Sequence, residues 1–377
     1  MASIIVKCIE RCNAQCAYCD VEKSHAGVLD MSADTLRAVF YRIDEYLGRH
    51  REEKVTFIWH GGEPLLLGAD YLSLAYDLQN ELCPQTRDRI DHSIQSNLTV
   101  LNERHIAALK KLGIRSIGSS YEPELEVRGL GHKRDSGAYN RAFLRATTLL
   151  EQHDMSWGII YVVTKKSLAD PLAVFLTLTN LLPARGFLMN PVIISGQGPQ
   201  ELAISPEEFA DFLGAIFPFW LERRRRFPQV EPLASYWTNL AEKGRHLYCA
   251  ETGNCASSHL NIDPNGNVSK CGRSSDLHVM SYGNIHDRSI DEMFEISRKE
   301  MGGRTRALRD GECSGCNLFP ICHGGCPLDG YAAHGDFNRK TGWCEAKKLF
   351  VSKYFEPLTG ITAEGLTDYF DYNDGSR

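Results

Sequence analysis

The stretch Cys12-Asn13-Ala14-Gln15-Cys16-Ala17-Tyr18-Cys19 decides how the rest of the sequence is read. Its three cysteines, spaced C-x3-C-x2-C, fit within one loop. Three thiolates ligate three corners of a 4Fe–4S cube, where a closed structural cluster takes four. The remaining iron is left open, and an open position on an otherwise held metal marks a catalytic centre. The alternatives are a zinc loop, which would close with four ligands, and three buried thiols. Residues 3–9, just before the loop, are apolar and β-branched, the pattern of a buried parallel strand. Cys8 within that run reads as a small buried hydrophobe.

Outward from the loop, strands and helices alternate. Ser32 is placed to cap a helix in which Leu36, Val39, Phe40, Ile43 and Leu47 recur at helical spacing. Residues 54–59 form a strand that runs into His60-Gly61-Gly62-Glu63-Pro64. The two glycines let a backbone approach a ligand, and Pro64 biases Glu63 towards an extended conformation. Taken alone, such a sequence also makes a simple turn. Helices follow at 65–82, 103–112, 139–152 and 172–182, and strands at 92–97, 116–120, 159–163 and 187–191. Repeated βα units imply a parallel sheet with crossover helices, hence an α/β fold. Six units make a partial (β/α)6 barrel, short of the eight that close a full one. Ligand sites in such sheets lie at the carboxyl ends of the strands. The cysteine loop, the Gly-Gly loop, Asn97 and Ser120 all fall at such ends, on one rim.

With Tyr18 as the aromatic residue before the last cysteine, the loop resembles the signature of the radical S-adenosylmethionine (SAM) enzymes. The resemblance implies that the SAM amino and carboxylate groups chelate the open iron. One electron from the reduced cluster then cleaves SAM to methionine and a 5′-deoxyadenosyl radical, which takes a hydrogen atom from the substrate. Gly61-Gly62-Glu63-Pro64 matches that family's GGEP motif, so the glycine backbone and Glu63 are expected near the SAM amino group. Ser93-Ile94-Gln95-Ser96-Asn97 is similar to its S-x-Q-T-N step, which carries Gln95 and Asn97 to the cofactor. The family's fourth strand usually ends Ser-x-Asp-Gly, whereas this one reads Ser120-Tyr121-Glu122-Pro123. Ser120 is carried over to SAM, and Arg134 falls where the family often places an arginine near the SAM carboxylate. An exposed surface arginine is the other reading of Arg134.

The second half changes character. Gly196-Gln197-Gly198-Pro199 is a natural boundary. Ser205-Pro206-Glu207-Glu208 opens a helix expected to reach about Phe227. Its run Arg223-Arg224-Arg225-Arg226 complements the helix dipole, or docks an acidic partner or leader peptide. Residues 261–268 look like a hairpin around Pro264-Asn265-Gly266, bringing Cys255 and Cys271 to one end. Eight cysteines lie between Cys249 and Cys344, enough for two sites of four thiolates, of iron–sulfur or zinc type. Their spacing resembles the SPASM extension of many radical SAM enzymes, which carries two auxiliary 4Fe–4S clusters. By that resemblance Cys249, Cys255, Cys271 and Cys326 hold one cluster, and Cys313, Cys316, Cys322 and Cys344 the other. The expected domains are a radical SAM partial barrel over 1–198, a helical linker over 199–248, a SPASM domain over 249–350 and a tail over 351–377.

Composition narrows the function. The 377 residues are 43% hydrophobic and 24% charged, ordinary for a globular chain. A net charge of −6 argues against nucleic acid as a partner. No apolar run approaches the roughly 18–20 residues of a membrane span, and the N-terminus lacks the pattern of a signal peptide. Thirteen cysteines without an export signal point to metal ligation in an oxygen-poor cytoplasm rather than to disulfides. The resemblance includes sulfatase-maturating enzymes, peptide cross-linking and thioether-forming maturases, and small-molecule dehydrogenases. In the sulfatase-maturating group an aspartate directly follows the cysteine after the hairpin and serves as base. Here Gly272 follows Cys271 and the nearest acid is Asp276. Tyr121, Glu122, Asp135 and Asp276 are the candidate bases. The expected activity is oxidation or cross-linking of a ribosomal peptide by hydrogen abstraction. Oxidation of a small molecule or protein side chain is the first rival, and a non-catalytic iron–sulfur carrier the second. An electron donor of flavodoxin or ferredoxin type is implied. Because the chain begins at its first barrel strand, a peptide substrate is expected to need direct recognition or a separate leader-binding protein.

Overall fold

The computed structural model describes residues 1–19, 30–182, 186–194 and 199–373. Strands β1 (Ala2–Ile9), β2 (Val55–Gly61), β3 (Ile90–Gln95), β4 (Ser116–Ser120), β5 (Ser156–Val163) and β6 (Phe187–Pro191) alternate with helices. The helices are Ala33–Arg49, Gly68–Leu82, Glu103–Lys111, Ser136–Gln152 and Pro171–Leu181. The chain is thus the α/β fold its sequence implies, with element ends displaced by a few residues. Ser32 caps the first helix through the Thr35 N–H, and Asn102 and Asp135 cap the third and fourth in the same way. In the first half of β1, Ala2, Ile4 and Val6 are buried while Ser3 and Ile5 are half-buried, the period-two pattern of a strand, and from Val6 to Ile9 both faces are covered.

The first compact unit comprises Met1–Ile159 and Ala256–Glu300. In it β1 to β4 pair in parallel and in sequence order: Ile4 lies opposite Phe57, Phe57 opposite His92, and Ile94 opposite Ile117. The expected hairpin is formed by β8 (His259–Ile262) and β9 (Asn267–Ser269), with β10 (Ser281–Asn284) antiparallel beyond it. Its Asp263-Pro264-Asn265-Gly266 turn closes with Gly266 N–H on the Asp263 carbonyl, and Gly266 takes φ +81°. The hairpin also extends the main sheet, since β8 pairs in parallel with β1 from Ser3–His259 to Val6–Ile262. Its alternation reveals a strand but carries no information about that long-range neighbour.

The second unit comprises Ile160–Cys255 and Met301–Arg377. There β6 pairs in parallel with β7 (Val230–Glu231). Ser205 and Glu208 form a capping box at the start of the helix Pro206–Arg223, which ends sooner than its sequence suggests. Arg224 to Arg226 lie in the turn beyond it, with Arg224 4.2 Å from the Trp237 ring centroid and Arg226 5.3 Å from that of Phe227. Phe217 packs against Phe350 and Phe355, and the last helix, Leu366–Asn373, buries Leu366 and Phe370. Gly196-Gln197-Gly198, read as a boundary, lies outside the described residues. No helix among the described residues is long and apolar enough to cross a membrane.

Candidate active site

The cysteine loop leaves the end of β1 and is held from two sides. On one side Gln15 N–H donates to Gly129 O (2.8 Å), Ala17 N–H to Val127 O (2.8 Å), Gly131 N–H to Asn13 O (3.0 Å) and Arg134 Nε to Gln15 O (2.7 Å). On the other, Gly62 N–H donates to Ile9 O (2.7 Å) and Glu63 N–H to Arg11 O (2.9 Å). A Cβ at Gly61 would stand 2.0 Å from Ile9 O, and one at Gly62 2.2 Å from Arg11 O. The two glycines therefore let the β2 loop press against the cysteine loop. Pro64 opens the short turn Pro64–Leu67.

Glu63 is fully buried. Its Oε1 accepts from Leu65 N–H (3.0 Å) and Ser96 Oγ (2.7 Å), and its Oε2 from Asn97 N–H (2.6 Å). Burial pushes its carboxyl up to about 7, against the pull of those bonds and the more distant Arg128 charge. Glu63 thus ties the Gly-Gly loop to the end of β3. Asn97 continues the tie, donating through Nδ2 to Asn13 Oδ1 (2.9 Å) and to Cys12 Sγ (3.7 Å). Thr99 closes the network, giving its N–H and hydroxyl to Asn97 Oδ1 and accepting from Asn13 Nδ2 (2.8 Å). Cys12 Sγ also receives Ala14 N–H (3.4 Å). Two N–H donors on one sulfur favour the thiolate, the form that ligates metal. Gln95 Nε2 donates to Ser120 Oγ (3.4 Å), joining the ends of β3 and β4.

Beneath the loop lies a buried charged group that sequence reasoning missed in part. Arg128 Nε donates to Glu122 Oε2 (2.7 Å), its Nη2 to the Tyr18 hydroxyl, and Tyr18 donates to Glu122 Oε1 (2.8 Å). Arg128 is 7% exposed and Glu122 2%. The guanidinium stands 5.7 Å from the Tyr18 ring centroid and 5.4 Å from that of Tyr139. Burial pushes the Cys16 thiol up to about 11; Arg128 pulls it down, while Cys19 and Cys12 push it further up. The three loop thiols are therefore electrostatic neighbours. Three neighbouring sulfur donors, with two N–H bonds on Cys12 Sγ, fit the iron–sulfur cluster that the spacing implies.

The residues read as candidate bases all carry structural contacts. Glu122 is in the ion pair just described. Tyr121 stacks on Phe143, with centroids 4.6 Å apart. Asp135 accepts Ala138 N–H (2.8 Å) at a helix start. Asp276 forms a buried ion pair with Lys7 of β1. Arg134 is exposed and takes φ +49° where it touches the cysteine loop.

In the second unit, Cys313, Cys316, Cys322 and Cys344 gather. Burial pushes the Cys313 thiol up to about 11, and Cys322, Cys344 and Cys316 add to the push. The loops carrying them are linked by turns: Cys316 N–H to Cys313 O (3.1 Å), Gly325 N–H to Cys322 O (2.8 Å) and Cys344 N–H to Thr341 O (3.2 Å). Gly325, at φ +75°, lets Thr341 approach, since a Cβ there would stand 2.3 Å from Thr341 Cγ2. Four thiols that sense one another suit a shared cluster. Cys249, Cys255 and Cys326 belong to the same unit, and Cys271 caps the helix Gly272–Asp276 of the first. Among the described residues no three His, Cys, Asp or Glu side chains stand close enough around one point to hold a single metal ion.

Comparison with known proteins agrees with both cysteine regions. Residues 6–175 match the radical SAM superfamily, and residues 249–317 match SPASM, an iron–sulfur cluster-binding domain. A serine-type anaerobic sulfatase-maturating enzyme of Klebsiella pneumoniae is 24% identical, over 92% of this chain and 85% of the relative. A cysteine-type anaerobic sulfatase-maturating enzyme of Clostridium perfringens is 23% identical, over 93% and 95%. The solved structure of native anSMEcpe with bound AdoMet superposes with a TM-score of 0.81 at 20% identity, covering 96% of this chain and 98% of that one. Streptococcus suis SuiB bound to S-adenosylmethionine gives 0.59 at 15%, covering 90% and 76%. The two matched domains imply a SAM-binding cluster plus auxiliary iron–sulfur clusters.

Proposed function

Because the chain is a radical SAM enzyme with a C-terminal SPASM domain, we propose that it oxidises a side chain of a peptide or protein substrate. The observation that carries this reading is the likeness to sulfatase-maturating enzymes, which runs through 92% of the chain and takes in both cysteine regions. When bound, the loop cluster and SAM supply a carbon-centred radical able to take a hydrogen atom from the substrate. Cys12, Cys16 and Cys19 hold that cluster. The carbonyls of Gly61 and Gly62, with Gln95, Asn97, Ser120 and Arg134, orient the cofactor. Glu63 and Thr99 keep those loops in register, and Tyr18, Glu122 and Arg128 support the cysteine loop from beneath. Oxidation removes a second electron and a proton from the substrate. The eight C-terminal cysteines would hold two further clusters, Cys249, Cys255, Cys271 and Cys326 on one and Cys313, Cys316, Cys322 and Cys344 on the other, which would supply an acceptor for that electron. The reductant is a flavodoxin- or ferredoxin-type protein in an oxygen-poor cytoplasm.

A second reading, cross-linking of a ribosomal peptide, is favoured by Gly272, which stands where the sulfatase-maturating group has its base. Asp276, the nearest acid, is held by Lys7. Loss of the second electron would then accompany bond formation to a neighbouring side chain, with the peptide recruited directly or by a separate leader-binding protein. The deciding experiment incubates the anaerobically reconstituted protein with SAM, a strong reductant and a sulfatase-type peptide carrying one serine or cysteine. Conversion of that residue to an aldehyde, with 5′-deoxyadenosine released, supports side-chain oxidation. A product short of two hydrogens whose fragmentation stops between two residues supports the cross-link. Absence of 5′-deoxyadenosine under every condition contradicts both.

A further inference from the structure

Arg304 opens the helix Arg304–Asp310 and is 5% exposed. Its guanidinium donates to four backbone carbonyls: Nε to Phe337 O (2.7 Å), Nη1 to His323 O (3.2 Å), and Nη2 to Gly324 O (3.2 Å) and Arg339 O (3.0 Å). His323 and Gly324 lie between Cys322 and Cys326, one from each proposed ligand set. Among the described residues no carboxylate pairs with this cation. The groups that act on it electrostatically are cysteine sulfurs, which do so as thiolates: Cys326 and Cys255 of one set, Cys322 and Cys313 of the other, all within the second unit. Burial pulls the guanidinium down, and those four sulfurs hold it up.

A buried cation without a counter-charge is costly, and carbonyl dipoles offset only part of the cost. Neutral thiols add little. Thiolates bound to iron would supply the missing negative charge, so the pocket is electrically complete only when the cysteines are metallated. We propose that Arg304 is a shared counter-ion of the two C-terminal iron–sulfur sites, favouring the reduced and more negative state of each. This rests on the proposal that those cysteines hold clusters. Net charge and burial are among the levers that set the potential of such clusters. A fixed positive charge between two ligand loops therefore makes both sites better electron acceptors.

The test is a redox titration followed by electron paramagnetic resonance on the full, anaerobically reconstituted chain, wild type beside Arg304→Gln and Arg304→Lys. The loop cluster is recognised by the change SAM makes to its signal. In Arg304→Gln the reduction equilibrium of both SAM-insensitive couples is expected to fall about tenfold, a shift of about 59 mV for a one-electron couple. Arg304→Lys, which keeps the charge and loses the fork, is expected to stay near wild type. Unchanged potentials in Arg304→Gln, or a lysine variant that follows the glutamine variant, would overturn the proposal. Should Arg304→Gln fail to hold iron, the lysine variant decides. Full iron at wild-type potentials supports a charge role, and loss of iron there as well shows a scaffold role only. A wild type with no SAM-insensitive couple would refute the two-cluster reading itself, whatever Arg304 does.

Discussion

Two buried arginines mark the two metal-binding regions, and they are balanced differently. Arg128, under the N-terminal cysteine loop, is neutralised by Glu122 and shared with the Tyr18 hydroxyl. Arg304, among the C-terminal cysteines, is surrounded by carbonyls and thiols. The first arrangement holds a loop in place while adding little net charge beside it, which leaves a cluster there hard to reduce and strongly reducing once it is. The second leaves a net positive charge next to the ligands and eases reduction. The two regions are also unequal in sulfur count, three thiols in the loop against eight from Cys249 onward. Three leave an iron free for a cofactor, and four per cube close it. Charge balance and ligand count thus support the same proposed roles, electron delivery to SAM in the first region and electron uptake in the second.

The largest effect should come from removing the difference in ligand count. Replacing Cys12, Cys16 and Cys19 together by alanine is expected to lower iron from about 12 to about 8 per chain and abolish 5′-deoxyadenosine. Retention of SAM cleavage would break the division of labour. Next, Glu122→Gln leaves Arg128 buried without its partner, like Arg304. Unfolding experiments are expected to show a loss of about 3–5 kcal/mol, and the loop couple should rise, opposite in sign to the change from Arg304→Gln. The buried Glu63 gives a smaller, pH-dependent effect. Its folded carboxyl stands at about 7 against an ordinary 4.5, so its contribution is fully present below 4.5 and is lost as pH rises through 7. Between about pH 5.5 and pH 7 the stability margin of wild type over Glu63→Gln should shrink by on the order of 2 kcal/mol, read by denaturant unfolding at each pH. Similar in size is Gly62→Ala, whose Cβ would meet Arg11 O at 2.2 Å. It is expected to cost about 1–3 kcal/mol and to weaken iron retention in the loop while sparing the C-terminal iron.

The legible parts of this molecule were those written in local pattern. The cysteine spacings, the Gly-Gly step and the strand–helix alternation all survive in the structure, because period and spacing are set by backbone geometry. Glu63 and Asn97 were legible as site residues, yet their visible work is to brace loops, which depends on who faces them across strands. Arg128 and Arg304 left no local signal, since a buried arginine and an exposed one look alike until the chain is folded. Glu122 read as a candidate base because an acid at a strand end is an acid in any sequence. Its pairing with a residue six positions on, and with Tyr18 far upstream, is a tertiary fact. The parallel docking of β8 on β1 was hidden for the same reason.

The most direct test of the contrast is one potentiometric titration of the wild-type protein, repeated with SAM to identify the loop couple. Three couples are expected, with the SAM-responsive one lowest and the other two above it. A SAM-responsive couple at or above the others would contradict the charge-balance account while leaving the cysteine assignments in place.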